Sequence, residues 1–99
     1  MAEIVWTEPA LQSLESIAEY IALDNPAAAG ALVAKVLQSV ERLERFPASG
    51  RVPPELPGSV YRELVVSPCR IFYRESAPQV FIIHIMREER ALRAFMLER

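Results

Sequence analysis

Apolar residues recur every three to four positions in the first half of this chain and crowd into short dense runs in the second. Leu11, Leu14, Ile17, Ala18 and Ile21 form one stripe, with Gln12, Glu15, Ser16 and Glu19 on the opposite side. This spacing predicts an amphipathic helix. Thr7 stands as its N-cap, and Pro9 falls in the first turn, where a missing backbone donor costs nothing. The helix should end near Leu23. Asp24-Asn25-Pro26 then restarts the chain, with either Asp24 or Asn25 as cap and Pro26 as the first helical residue. A second helix to about Phe46 is expected, on a stripe of Ala28, Leu32, Val36, Val40 and Leu43 widened by Val33, Leu37 and Phe46. The link is short, so the two helices should form an antiparallel hairpin.

The second half reads differently. Tyr61–Val66, Cys69–Arg74 and Gln79–Met86 are rich in β-branched and aromatic residues, and prolines interrupt them at Pro68 and Pro78. They predict a meander of three antiparallel strands. The last run is apolar at nearly every position, which predicts a central strand covered on both faces. Glu3–Trp6 reads as a further strand that should join an edge of the meander. Pro47–Gly58 holds too many breakers for a regular element and should be a stiff loop. Leu92, Phe95 and Met96 at i, i+3, i+4 predict a short C-terminal helix or ordered tail. The expected architecture is α+β: one domain over residues 1–99, with a helical hairpin packed on an antiparallel sheet of three to four strands.

Charge sharpens this division. The net charge is only −2. Residues 1–50 carry seven acids against Lys35, Arg42 and Arg45, whereas residues 51–99 carry eight arginines, no lysine and six acids. Arginine favours planar, bidentate contacts to carboxylate or phosphate. Arg70 and Arg74 alternate with Ile71 and Tyr73 along one run, and Arg62 is expected beside them. Such a cluster either pairs internally, with Glu63 and Glu75 as candidate partners, or presents an anion-binding surface. The single cysteine, Cys69, excludes an internal disulfide framework and fits a reducing, cytoplasmic setting. No apolar run approaches the roughly 18 residues of a membrane span. There is no glycine-rich phosphate loop, no Ser-His-Asp set and no Cys/His spacing for a metal, so no cofactor is expected. His84 is the one residue poised for proton transfer near neutrality, and a packed histidine is the plainer reading of it.

The order β-α-α-loop-β-β-β resembles the RelE/ParE superfamily of bacterial toxin–antitoxin toxins. The likeness is carried by Val5-Trp6-Thr7-Glu8-Pro9-Ala10, Tyr61-Arg62-Glu63-Leu64, Cys69-Arg70-Ile71-Phe72-Tyr73-Arg74 and Val80–Arg87. The helical hairpin without added elements is more similar to the ParE branch. That resemblance implies a toxin that inhibits DNA gyrase, arrests growth and is neutralised by a cognate antitoxin, with a heterotetramer as one assembly open to the pair. It implies target contacts at Arg87, Arg90 and Arg93, and antitoxin contacts at Arg70, Tyr73, Arg74 and Arg87. The RelE branch offers the alternative, a ribosome-dependent mRNA endoribonuclease working through Arg70, His84 and Arg90. A partner-binding relative without toxicity is a third reading. The tyrosine that the nuclease branch carries near its C-terminus is replaced here by the Ala94-Phe95 region. Glu88 stands where either branch would place a different residue.

Overall fold

The computed structural model describes residues 1–98. The elements run β1 (Glu3–Trp6), α1 (Glu8–Ala22), α2 (Pro26–Glu41), a 3-10 turn (Arg42–Glu44), β2 (Tyr61–Val66), β3 (Cys69–Ser76), β4 (Gln79–Arg87) and a final 3-10 turn (Ala94–Met96). Both caps form as expected. Thr7 and Asn25 each accept a backbone N–H with the side-chain oxygen, at 3.4 Å from Ala10 and 3.1 Å from Ala28. The Thr7 hydroxyl also donates to the Ile82 carbonyl at 2.6 Å, so the same residue that starts α1 ties it to the sheet.

The strand order is β1-β4-β3-β2. The meander β2-β3-β4 is antiparallel, with two-residue turns at 67–68 and 77–78. β1, by contrast, lies parallel to β4, with Glu3 opposite Gln79 and Trp6 opposite Ile82. The sheet is therefore mixed rather than purely antiparallel. The helical hairpin between β1 and the meander supplies the long crossover that a parallel neighbour requires. β4 is interior, and most of its residues are buried.

One face of the sheet packs against the helices. Leu14 from α1 and Leu32, Val36 and Val40 from α2, with Leu43 beyond it, meet Cys69, Ile71, Tyr73, Val80, Ile82 and Ile85. The stripe of α2 is rotated slightly from the expected one: Ala29 is buried and Ala28 exposed. Phe46 and Leu37 do not widen it, being 60% and 47% exposed. The α-helix tightens into the 3-10 turn after Glu41, which takes Phe46 off the helical register. Leu11 likewise faces out, and Ala10 takes the buried place at the start of α1.

The other face carries a second, smaller cluster of Phe72, Ile83, Met86, Leu92 and Leu97, with Leu56 and Tyr61 against it. Its cover is the 45–60 loop and the C-terminal segment rather than a helix. Of the Leu92, Phe95 and Met96 set, Phe95 is 69% exposed, and Leu97 is buried with Leu92 instead.

A register shift between Phe72 and Tyr73 explains where His84 points. Phe72 pairs with His84 but Tyr73 pairs with Ile82, so Ile83 is an extra residue, a β-bulge. Val80 and Ile82 face the helices before the bulge, and Ile85 faces them after it. His84 thus leaves the register of Val80 and Ile82 and lies beside Phe72, ring centroids 6.2 Å apart.

Candidate functional site

The arginines do not share one surface. Arg62 is opposite Tyr73 in the β2-β3 register, on the helix-covered face, and donates to the Gly50 carbonyl at 2.8 Å. Arg70 lies on the opposite face and is only 6% exposed. Its Nε donates to Glu63 Oε2 at 2.7 Å, and Nη2 donates to Glu63 Oε1 at 3.2 Å and Glu55 Oε1 at 2.7 Å. Nη1 donates to Glu55 Oε2 at 2.7 Å and to the Arg90 carbonyl at 3.4 Å. These five bonds use every N–H of a guanidinium. The group also sits 5.0 Å from the centroid of the Phe72 ring. Hydrogen bonds to Glu55 and Glu63 push its pKa up further.

Glu63 is the internal partner foreseen for Arg70; Glu75 is not, and Glu55 takes that role. The Arg70 guanidinium is thus spent inside the protein, away from the antitoxin-facing or catalytic place expected for it. Tyr73 is likewise internal. It is fully buried on the helix-covered face, and its hydroxyl accepts the Gly50 N–H and donates to the Pro47 carbonyl, both at 2.8 Å. Burial pushes its phenol up from the ordinary value. Cys69 is also fully buried, and desolvation raises its thiol pKa, which suits a small core group rather than a nucleophile.

Glu55 is missing from any pattern-based reading because it sits in Pro53-Pro54-Glu55-Leu56-Pro57, a stretch without period. The bidentate contact with Arg70 holds its carboxyl at about 2, well below the usual carboxylate range. Its Oε2 additionally accepts the Leu92 N–H at 3.1 Å.

A groove opens where β1 gives way to α1. β1 pairs only with residues 79–82 of β4, so the later half of β4 borders α1 without an intervening strand. The groove, about 540 Å³, is lined from α1 by Gln12, Ser13 and Ser16 and from β4 and beyond by His84, Met86, Arg87, Arg90 and Met96. Among the described residues that line it, the charged ones are Arg87 and Arg90. Arg87 is held at its mouth by Glu89 at 2.6 Å, an exposed pair of small worth. Desolvation first, and then the positive charge of Arg90, lower the pKa of His84, which favours its neutral form. Among the described residues no carboxylate lies within ion-pairing distance of His84, and none of them form a metal-binding group of three.

The structure therefore brings together His84, Arg87 and Arg90. Arg93 is exposed farther along the C-terminal segment, and Arg74 lines a separate cleft with Tyr61, Phe81, Ile83 and Leu97. No described helix is long and apolar enough to cross a membrane.

Two helices on one face of a mixed four-stranded sheet match the RelE/ParE class of toxin fold. The chain belongs to the ParE toxin family of type II toxin–antitoxin systems, whose model matches residues 4–92. It is 43% identical over 77 residues to the Sinorhizobium fredii protein Y4kP, covering 74% of this chain and 75% of that one. It is 33% identical to Toxin RelE2 of Caulobacter vibrioides over 94% of this chain and 99% of the relative. Among solved structures, the chromosomal ParDE system of P. aeruginosa superposes with a TM-score of 0.71 at 27% identity, covering 88% of this chain and 96% of the other. The RelBE2 complex of Mycobacterium tuberculosis shares the fold, with a TM-score of 0.58 at 17% identity over 88% and 98% of the two chains.

Proposed function

We propose that this toxin acts as a protein inhibitor of DNA gyrase and is held inactive by a co-expressed antitoxin. The observation that carries the reading is the burial of Arg70. The nuclease alternative asks that guanidinium to meet a scissile phosphate, yet all five of its donors are committed to Glu55, Glu63 and a backbone carbonyl. Arg87 at the end of β4 and Arg90 and Arg93 on the segment after it remain accessible, and in this reading they form the target-contacting arm. Arg74 and Arg87 would meet acidic side chains of the antitoxin. The family model and the ParDE structural relative support an antitoxin as partner.

The test is supercoiling by purified gyrase in the presence of the toxin. Inhibition is expected, with Arg87→Ala, Arg90→Ala and Arg93→Ala together abolishing it while leaving the fold intact. Unaffected supercoiling at excess toxin would remove the reading. A second reading has one specific support: His84, its pKa lowered by burial, shares the groove with Arg87 and Arg90, and a RelE2 toxin is among the relatives. It predicts mRNA cleavage in a translating extract that disappears with His84→Ala.

A further inference from the structure

Arg70 and Glu55 join three parts of the chain that share no regular element. Arg70 belongs to β3, Glu55 to the proline-rich loop, and Arg90 and Leu92 to the C-terminal arm. The Glu63 half of the cluster has a separate support. Glu63 accepts from Arg51 Nε at 2.9 Å, and the two residues exchange backbone hydrogen bonds of 3.1 and 2.7 Å. Arg70 would keep a buried anionic partner if Glu55 were lost, so the full cost of an orphaned buried charge would not fall on the sheet. The Glu55 half faces outward, its side chain 30% exposed, and it reaches the arm directly through the Leu92 amide. Leu92 and Leu97 then fill the small cluster on Phe72 and Met86.

We infer that Glu55 is a positioning residue for the arm: its carboxylate, aligned by the Arg70 fork, latches residues 88–97 to the sheet, and the latch opens without unfolding the helix-covered core. The arm's role as target contact rests on the reading above, but the latch does not. A bidentate arginine–carboxylate pair fixes both distance and plane. Local opening of a segment with few regular hydrogen bonds is the expected low-energy fluctuation. The arm is also tied at its start, by Glu88 N–H to the Pro68 carbonyl at 2.9 Å, and past Leu92 its backbone hydrogen bonds close turns, such as Met96 N–H to the Arg93 carbonyl at 2.9 Å.

Amide hydrogen exchange on the intact toxin tests this with Glu55→Ala, and with Glu55→Gln as a milder variant. Exchange at Leu92, Met96 and Leu97 should rise at least tenfold in Glu55→Ala and by less in Glu55→Gln, while Ile71 and Ile82 keep their protection. Unchanged exchange at Leu92 would overturn the latch. So would an equal rise at Leu92 and Ile82, or a Glu55→Ala chain that does not fold, since either makes Glu55 a support of the whole domain. Growth arrest on induction separates the two readings. A loosened arm with full arrest would remove the arm as target contact and leave the latch standing. A firm arm with lost arrest would do the reverse.

Discussion

The two faces of the sheet are covered in different ways. On one, α1 and α2 lay Leu14, Leu32, Val36 and Val40 over Ile71, Ile82 and Ile85. Each helix satisfies its own backbone, so this cover brings no unpaired polar groups with it. On the other, Leu56, Leu92 and Leu97 arrive on a loop and a tail and settle over Phe72 and Met86. That backbone is satisfied piecemeal, by turns and by one carboxylate. The same sheet thus has a cooperative side and a side whose cover depends on a few contacts. The segment that carries Arg90 and Arg93, two of the arginines proposed to meet a target, covers the second.

Emptying a position on each face should expose that difference. Ile71→Ala, at a fully buried site under the helices, should cost roughly 2–5 kcal/mol in urea unfolding. Leu97→Ala removes a comparably buried side chain from the other face, but its effect should appear first as faster amide exchange in the arm, with a smaller shift of the global midpoint. Equal losses in both variants would erase the distinction.

A smaller effect is expected where the loop enters the sheet. A Cβ on Gly50 would lie 2.6 Å from the Tyr73 hydroxyl and 2.7 Å from the Glu63 carbonyl. Gly50→Ala should therefore destabilise by about 1–3 kcal/mol through overpacking and displacement of the Tyr73 hydrogen bonds. An unchanged urea midpoint would show that the loop can shift freely.

The smallest effect, and the most specific, should appear in acid. Glu55 is held at about 2 against an ordinary 4.5, so its folded form binds protons less readily than the unfolded chain. Its contribution is complete above about pH 4.5 and fades as pH falls toward 2. Glu89 is also lowered, so the wild-type curve alone is not decisive. The gap between wild type and Glu55→Gln should narrow across that window. A constant gap would mean that the Glu55 charge does not matter to stability.

How much of this the sequence revealed follows the same division. The helical hairpin was legible because Leu14, Leu32, Val36 and Val40 repeat with the helical period, and Thr7 and Asn25 mark its starts. The meander was legible because Pro68 and Pro78 separate dense β-branched runs. The parallel placement of β1 was not, since strand direction at an edge is set by the crossover and not by the four residues themselves. The site was less legible than the fold. Arg70 reads as a surface charge in an alternating strand, and only the position of Glu55, fixed by a loop without period, shows it to be internal. The phase of His84 was hidden by the extra residue at Ile83, which alternation cannot detect.

That extra residue gives β4 two independent halves. Before it, even-numbered side chains look toward the hairpin; after it, odd-numbered ones do. Straightening the bulge with every residue kept would restore simple alternation and turn Ile85 outward, exchanging a greasy contact for an imidazole. A single insertion thus lets one continuous ribbon hold its helices with one end and aim a different set of groups at the groove with the other.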